Sequence, residues 1–372
     1  MKARRGCGAL PAFAALAMLG GCATQPRVEV PPRPPAEVRA QLVQLLPQGT
    51  IDREGWATDI QAAFQLLDIP PSTENLCAVL AITEQESTFN ADPAVPGLGR
   101  IARGEIDRRA AQHKVPQFLV RAALRLDSPN GQSYGERIES VRTERELSLV
   151  FEDFIAKVPM GQRLLGDANP VRTGGPMQVG IAFAEQYAKE HPYPYAADGS
   201  IRHEVFTRRG GLYFGIAHLL GYPSSYERHL YRFADFNAGW YASRNAAFQA
   251  AVTAASGVPL TLDGDLVLHG AHGGKVGATE AAVRSLGRQL DMDDDAIRHA
   301  LEQGDRFEFE RSDLYERVFA LAERMEGRAL PRAVMPRITL ESPKITRKLT
   351  TEWFATRVEQ RYRRCVNKAF GG

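Results

Sequence analysis

LCAVLAITEQESTFNADP, residues Leu76 to Pro93, decides the reading of this chain, because an apolar stripe ends there in a carboxylate. Pro70 and Pro71 break the chain upstream, Ser72 or Thr73 can cap, and Glu74 places negative charge in a first turn, so the signals predict a helix starting near 73. Leu76, Val79, Leu80 and Thr83 then share a face at helical spacing. Glu86 follows Val79 by seven residues and falls on that same face, whereas Glu84 points roughly the opposite way. The spacing predicts a half-buried Glu86 and a solvated Glu84.

Burial raises a carboxyl's pKa towards the range where it can act as a general acid near neutral pH, the chemistry that a glycosidic bond needs. The plainer alternative is that Glu86 is the polar end of a core helix.

Working outward, the 372 residues are 44% hydrophobic, enough for one large or two moderate cores. Residues 1–21 depart from that composition. Lys2, Arg4 and Arg5 precede an apolar run from Ala9 to Leu19, too short to span a bilayer, which is the form of a secretory signal peptide. Leu19-Gly20-Gly21-Cys22 resembles a bacterial lipobox, which implies cleavage before Cys22, lipid (palmitate-type) attachment to its sulfur and new amino group and, with Ala23 next, an outer-membrane address facing the periplasm. Loss of that signal leaves 43 basic against 44 acidic residues, so no nucleic-acid-binding field is expected. Cys7 goes with the signal and Cys22 is lipidated, which leaves Cys77 and Cys365 in an oxidising compartment. A disulfide between them is expected, the alternative being two buried thiols.

Residues 22–48 are rich in proline and read as an extended tether. Trp56, Ile60, Phe64 and Leu67 mark a helix ending before Pro70, and further helices are expected over roughly 104–156, from Pro176 through Tyr187, over Gly211–Leu220, and as one stretch over Tyr226–Gln249. Val258–Leu268 suggests a hairpin around Asp263-Gly264, and helices follow over Thr279–Leu290, Asp294–Leu301, Ser312–Met325 and Thr351–Lys368. The class is mainly α with minor β.

Four patterns occur in order: Glu86-Ser87-x-Phe89-Asn90, Gly175-Pro176-Met177-Gln178-Val179, Gly215-x-x-His218-Leu219 and Ala234-Asp235-Phe236-Asn237-Ala238-Gly239. Together they resemble the soluble lytic transglycosylases of the lysozyme-like superfamily, over roughly Leu76 to Ala250. The full chain also resembles a group of uncharacterised proteobacterial outer-membrane lipoproteins placed near that superfamily. The resemblance implies a lysozyme-like domain over 49–255 with a helical insertion near 100–170, and a helical C-terminal extension over 256–372. It further implies peptidoglycan glycan strands as substrate, with Glu86 as sole catalytic acid and base. In the family the muramyl acetamide assists and a 1,6-anhydro product forms, without cofactor or metal. Ser87, Met177, Gln178, Phe236 and Asn237 would bind substrate or brace the acid. Pro176, His218 and Phe236 stand where the family has leucine, an aromatic residue and tyrosine, and the last change removes a hydroxyl near the acid. A hydrolytic muramidase on the same fold, which would more often carry a second carboxylate, and a non-catalytic glycan-binding lipoprotein are the alternatives.

Other candidates are weaker. Asp92, Glu185 and Asp235 read as caps or solvated charges rather than second carboxylates. His269 and His272 lack further ligands at metal spacing, and Gly270–Lys275 lacks the spacing of a phosphate loop.

Overall fold

A computed structural model describes residues 33–157, 160, 163, 168–197, 199–268, 274–340 and 347–371. The expected signal peptide, Cys22, His269 and His272 lie outside the described residues. Described residues from Arg33 onward belong to one unit. It is mainly helical with little sheet.

The helices in chain order are α1 (Pro35–Leu45), α2 (Arg53–Leu66), α3 (Thr73–Ser87), α4 (Leu98–Gln112), α5 (Gln117–Leu124), α6 (Tyr134–Ser140) and α7 (Glu144–Lys157). A two-residue hairpin pairs β1 (Thr173–Gly174) with β2 (Val179–Gly180). Next come α8 (Ile181–Glu190), α9 (Ile201–Val205), α10 (Arg208–Leu220), α11 (His229–Ala238) and α12 (Ala242–Ser256). The last third holds α13 (Ala278–Ser285), α14 (Gly287–Leu290), α15 (Asp294–Leu301) and α16 (Asp313–Glu326). A second short hairpin, β3 (Thr339–Leu340) with β4 (Leu349–Thr350), leads into α17 (Thr351–Phe370).

Three apolar clusters organise these elements. The first joins α1, α2, α3, Met177, α10, α11 and α17; the second joins α12 to α13–α16; the third joins α4, α6 and α7 to the β1–β2 region and α10. Helix α10 is apolar nearly all round, so it serves two clusters at once. Leu212, Ile216 and Leu219 face the first, and Tyr213 and Phe214 the third. The third cluster is the packed form of the segment expected as an insertion. Helix α17, the end of the expected C-terminal extension, packs back on α3 and α11.

Helix α3 begins as its capping signals require: Ser72 Oγ accepts from Asn75 N at 3.1 Å. Four expectations give way. Helix α1 occupies part of the stretch expected to be an extended tether, because Val38, Leu42 and Leu45 form a buried face behind a proline at the first helical turn. Residues 175–178 turn the β1–β2 hairpin instead of opening a helix: Gly175 has a φ of 73°, a Cβ there would meet the Val205 carbonyl oxygen at 2.0 Å, and Gln178 is also left-handed. The expected stretch 226–249 is two helices, because Asp235 accepts hydrogen bonds from Tyr241 N and Ser243 N and so caps α12 afresh. Residues 258–268 form no hairpin. The buried Gln249 side chain binds Asp263 Oδ1, the Asp265 carbonyl and Gly264 N, satisfying this loop in place of a partner strand.

Candidate functional site

Glu86 occupies the last turn of α3 and is half-buried. The chain then reverses through Thr88 and Phe89, both in the left-handed region, with φ of 51° and 58°. Neither residue type favours that region, and two in succession store of order 1–2 kcal/mol each. Packing holds the turn in place: Phe89 is buried and meets Trp56 edge-on at 5.4 Å between ring centroids. Ser87 is buried too, and its hydroxyl donates to the Thr83 carbonyl of its own helix.

Glu84 is not the solvated residue that helical geometry alone suggests. Helix α17 docks on that side of α3, and Glu84 Oε1 lies 3.0 Å from an Arg364 guanidinium nitrogen and 3.5 Å from Arg361 Nε. Burial holds the Arg361 guanidinium below its ordinary pKa, while the charges of Glu84 and Glu86 act the other way. Arg361 therefore lies within electrostatic reach of both glutamates.

The other three motifs meet through packing. Met177 is fully buried against Gly215, the glycine of the Gly-x-x-His pattern. Gln178 folds onto its own hairpin, with Nε2 donating to the Gly175 carbonyl and Oε1 accepting from Thr173 Oγ1. His218 Nε2 lies 3.2 Å from the Phe236 carbonyl oxygen, their rings 5.0 Å apart, while Trp240 Nε1 donates to the His218 carbonyl. Burial lowers the His218 pKa to about 4, so near neutrality its neutral Nε2–H donates to Phe236. Asn237 is exposed, and its Oδ1 accepts from Thr351 Oγ1 at 2.9 Å.

Residues of all four motifs thus enter the first cluster: Phe89, Met177, Leu219 and Ala234 are buried in it, and Phe236 packs against it. Cys77 and Cys365 pair as a disulfide that fastens α17 to α3, with 5.5 Å between the Cα atoms.

The weaker carboxylates take structural places. Asp235 is fully buried and accepts from the Tyr226 hydroxyl at 2.7 Å and the Tyr222 hydroxyl at 3.1 Å besides the two amides. Desolvation raises its pKa, against the pull of these hydrogen bonds. Glu185 lies 3.8 Å from Arg202, and burial raises the Asp92 pKa. Among the described residues no cluster of His, Cys, Asp and Glu is arranged to hold a metal ion.

Three further features escaped the sequence. A cavity of about 480 Å3 opens beside Phe183, Tyr187 and Trp240, with Asp263 and Asp305 in its wall, and a smaller one of about 240 Å3 lies between α3 and α17. Glu86 lines neither. Arg244 is buried, its guanidinium bound to the Gly304 and Arg306 carbonyls and 4.1 Å from the Tyr241 ring centre. No local pattern marks any of the three, since each needs residues dozens of positions apart.

No described helix is long and apolar enough to cross a membrane. A family model described as "Protein of unknown function (DUF1615)" matches residues 49–368. The chain is 54% identical over 355 residues to the "Uncharacterized protein YaiW" of Escherichia coli (strain K12), covering 95% of this chain and 96% of that protein. No solved structure matches.

Proposed function

The chain belongs to the DUF1615 family, and we propose that it is a lipid-anchored lytic transglycosylase of the cell envelope, with Glu86 as its acid and base. One observation carries this reading: residues of four motif segments spread over positions 86 to 239 pack into one cluster around the helix whose last turn carries Glu86. The strained turn at Thr88 and Phe89, directly after the acid, supports it, since such backbone is concentrated at functional sites.

In this reading Glu86 gives its proton to the oxygen linking N-acetylmuramic acid to N-acetylglucosamine, and that bond breaks as the muramyl acetamide oxygen bonds to C1. The carboxylate then takes the proton of the C6 hydroxyl, whose oxygen displaces the acetamide from C1. The product is the 1,6-anhydro sugar and the enzyme recovers its proton. A single carboxyl serves both steps, so no second carboxylate is required.

A second reading, an envelope lipoprotein that binds glycan without turnover, has its own support. Asn237 is engaged by Thr351, Gln178 by its own hairpin, and Met177 has no exposed surface. Digestion of purified sacculi separates the readings. Wild type should release anhydro-ended muropeptides, read by mass spectrometry, and Glu86→Gln should release none. Equal release by both removes Glu86 from its role, reducing ends indicate hydrolysis, and retention on sacculi with no release by either supports the binder.

A further inference from the structure

The smaller cavity, about 240 Å3, has lining of two kinds. Leu45, Leu80 and Phe89 supply apolar lining from α1, α3 and the turn that follows it; Arg361, Arg364 and Lys368 supply cationic lining from α17, with Glu84 of α3 paired to the two arginines. The three cations recur at i, i+3 and i+7 along α17, so one helical face delivers all of them. Glu84 neutralises one positive charge and two remain in formal excess. Their donors are also incompletely used. Arg361 Nε is buried and makes no hydrogen bond, although Glu84 lies 3.5 Å away, and Lys368 Nζ reaches the Leu45 carbonyl at 3.4 Å.

A hollow lined by surplus positive charge and by hydrocarbon selects an anion carried on an apolar stem. We infer that this pocket binds a short carboxylate-terminated group, its oxygens taken by Arg364 and Lys368 and its stem laid on Leu80 and Phe89. The volume limits the ligand, being below the roughly 300–1,000 Å3 of sites for drug-sized molecules, so the paired acyl chains of a phospholipid are too large. The arginines already share one carboxylate oxygen, Glu84 Oε1, which shows that their placement suits an anionic oxygen.

The source of the ligand rests on the glycan reading above: the lactyl carboxyl of N-acetylmuramic acid has this form, whereas N-acetylglucosamine carries no charge. Phe89 belongs to both the pocket wall and the turn after Glu86, so a lactyl carboxylate bound here, free only where no stem peptide is amide-linked to it, registers a peptide-free muramyl residue close to the acid. The pocket would then distinguish peptide-free muramyl glycan both from an uncharged aminosugar polymer and from strands whose lactyl carboxyls carry peptides.

Titration calorimetry on the full chain at low ionic strength tests this with N-acetylmuramic acid, N-acetylglucosamine and inorganic phosphate as probes. Wild type should bind N-acetylmuramic acid and not N-acetylglucosamine. Arg364→Gln and Lys368→Gln, each checked by thermal melting to be folded, should weaken that binding by roughly tenfold or more, and added salt should weaken it in wild type. Absence of binding, equal binding of the two sugars, preference for phosphate, or unchanged affinity in both charge variants overturns the inference. If wild type binds N-acetylmuramic acid while it leaves sacculi undigested, the cleavage reading fails and the pocket stands; digestion without carboxylate binding has the opposite meaning.

Discussion

Met177 packs against the backbone of Gly215 so closely that a Cβ on that glycine would come within 2.5 Å of the Met177 sulfur and 2.7 Å of its Cβ. This contact joins the second and third motifs, and no residue larger than glycine fits it without movement. Gly215→Ala should destabilise the protein by about 1–3 kcal/mol through overpacking. Combining it with Met177→Ala should recover part of that loss in a double-mutant cycle read by chemical denaturation. Strict additivity of the two changes would mean that the contact is not the cause.

The Cys77–Cys365 bond closes a loop across 288 positions and fastens α17 to α3. Paired Cys77→Ser and Cys365→Ser substitutions should cost about 2–5 kcal/mol, and reduction of wild type should lower its melting temperature similarly. A reductant that changes the double variant as much as wild type would trace the effect to something other than this bond.

Asp235 gathers two tyrosine hydroxyls and two amides in a fully buried position. Asp235→Ala leaves those donors without an acceptor and removes the cap of α12, so a loss of about 3–5 kcal/mol is expected, seen as a lower denaturant midpoint. A change below about 1 kcal/mol would show that water replaces the carboxylate without strain.

Burial lowers the His218 pKa to about 4, below its ordinary value of 6.5. Between those values the unfolded chain binds the proton and the folded one does not, so stability from this group is complete above about 6.5 and falls as the pH drops towards 4. The loss amounts to roughly 3 kcal/mol at the acid end. Melting curves from pH 7 to 4.5 should show His218→Gln losing less stability than wild type; parallel slopes would assign the acid sensitivity to other groups.

Much of the helical framework was legible locally. Ser72 and Glu74 announced α3, the Trp56–Phe64 spacing announced α2, and Thr351–Lys368 announced the last helix within two residues, because capping and amphipathic period are properties of neighbouring residues. The fates of Glu84, Asn237 and Asp235 were not legible. Each is decided by a partner distant in the chain or by burial that only packing creates: Arg361 and Arg364 for Glu84, Thr351 for Asn237, and the tyrosine cluster for Asp235.

By itself, then, the sequence determined much of the helical framework and that Glu86 ends an apolar stripe, and it offered Cys77 and Cys365 as the pair that the structure joins. Tertiary structure alone decided that residues 175–178 turn a hairpin, that α17 returns to cover the Glu84 side of α3, and that three of its basic residues frame a pocket there. The physical reason is range. Periodicity and capping act over one or two helical turns, whereas a close backbone approach, a buried charge and a cavity wall exist only once segments far apart in the chain have packed together.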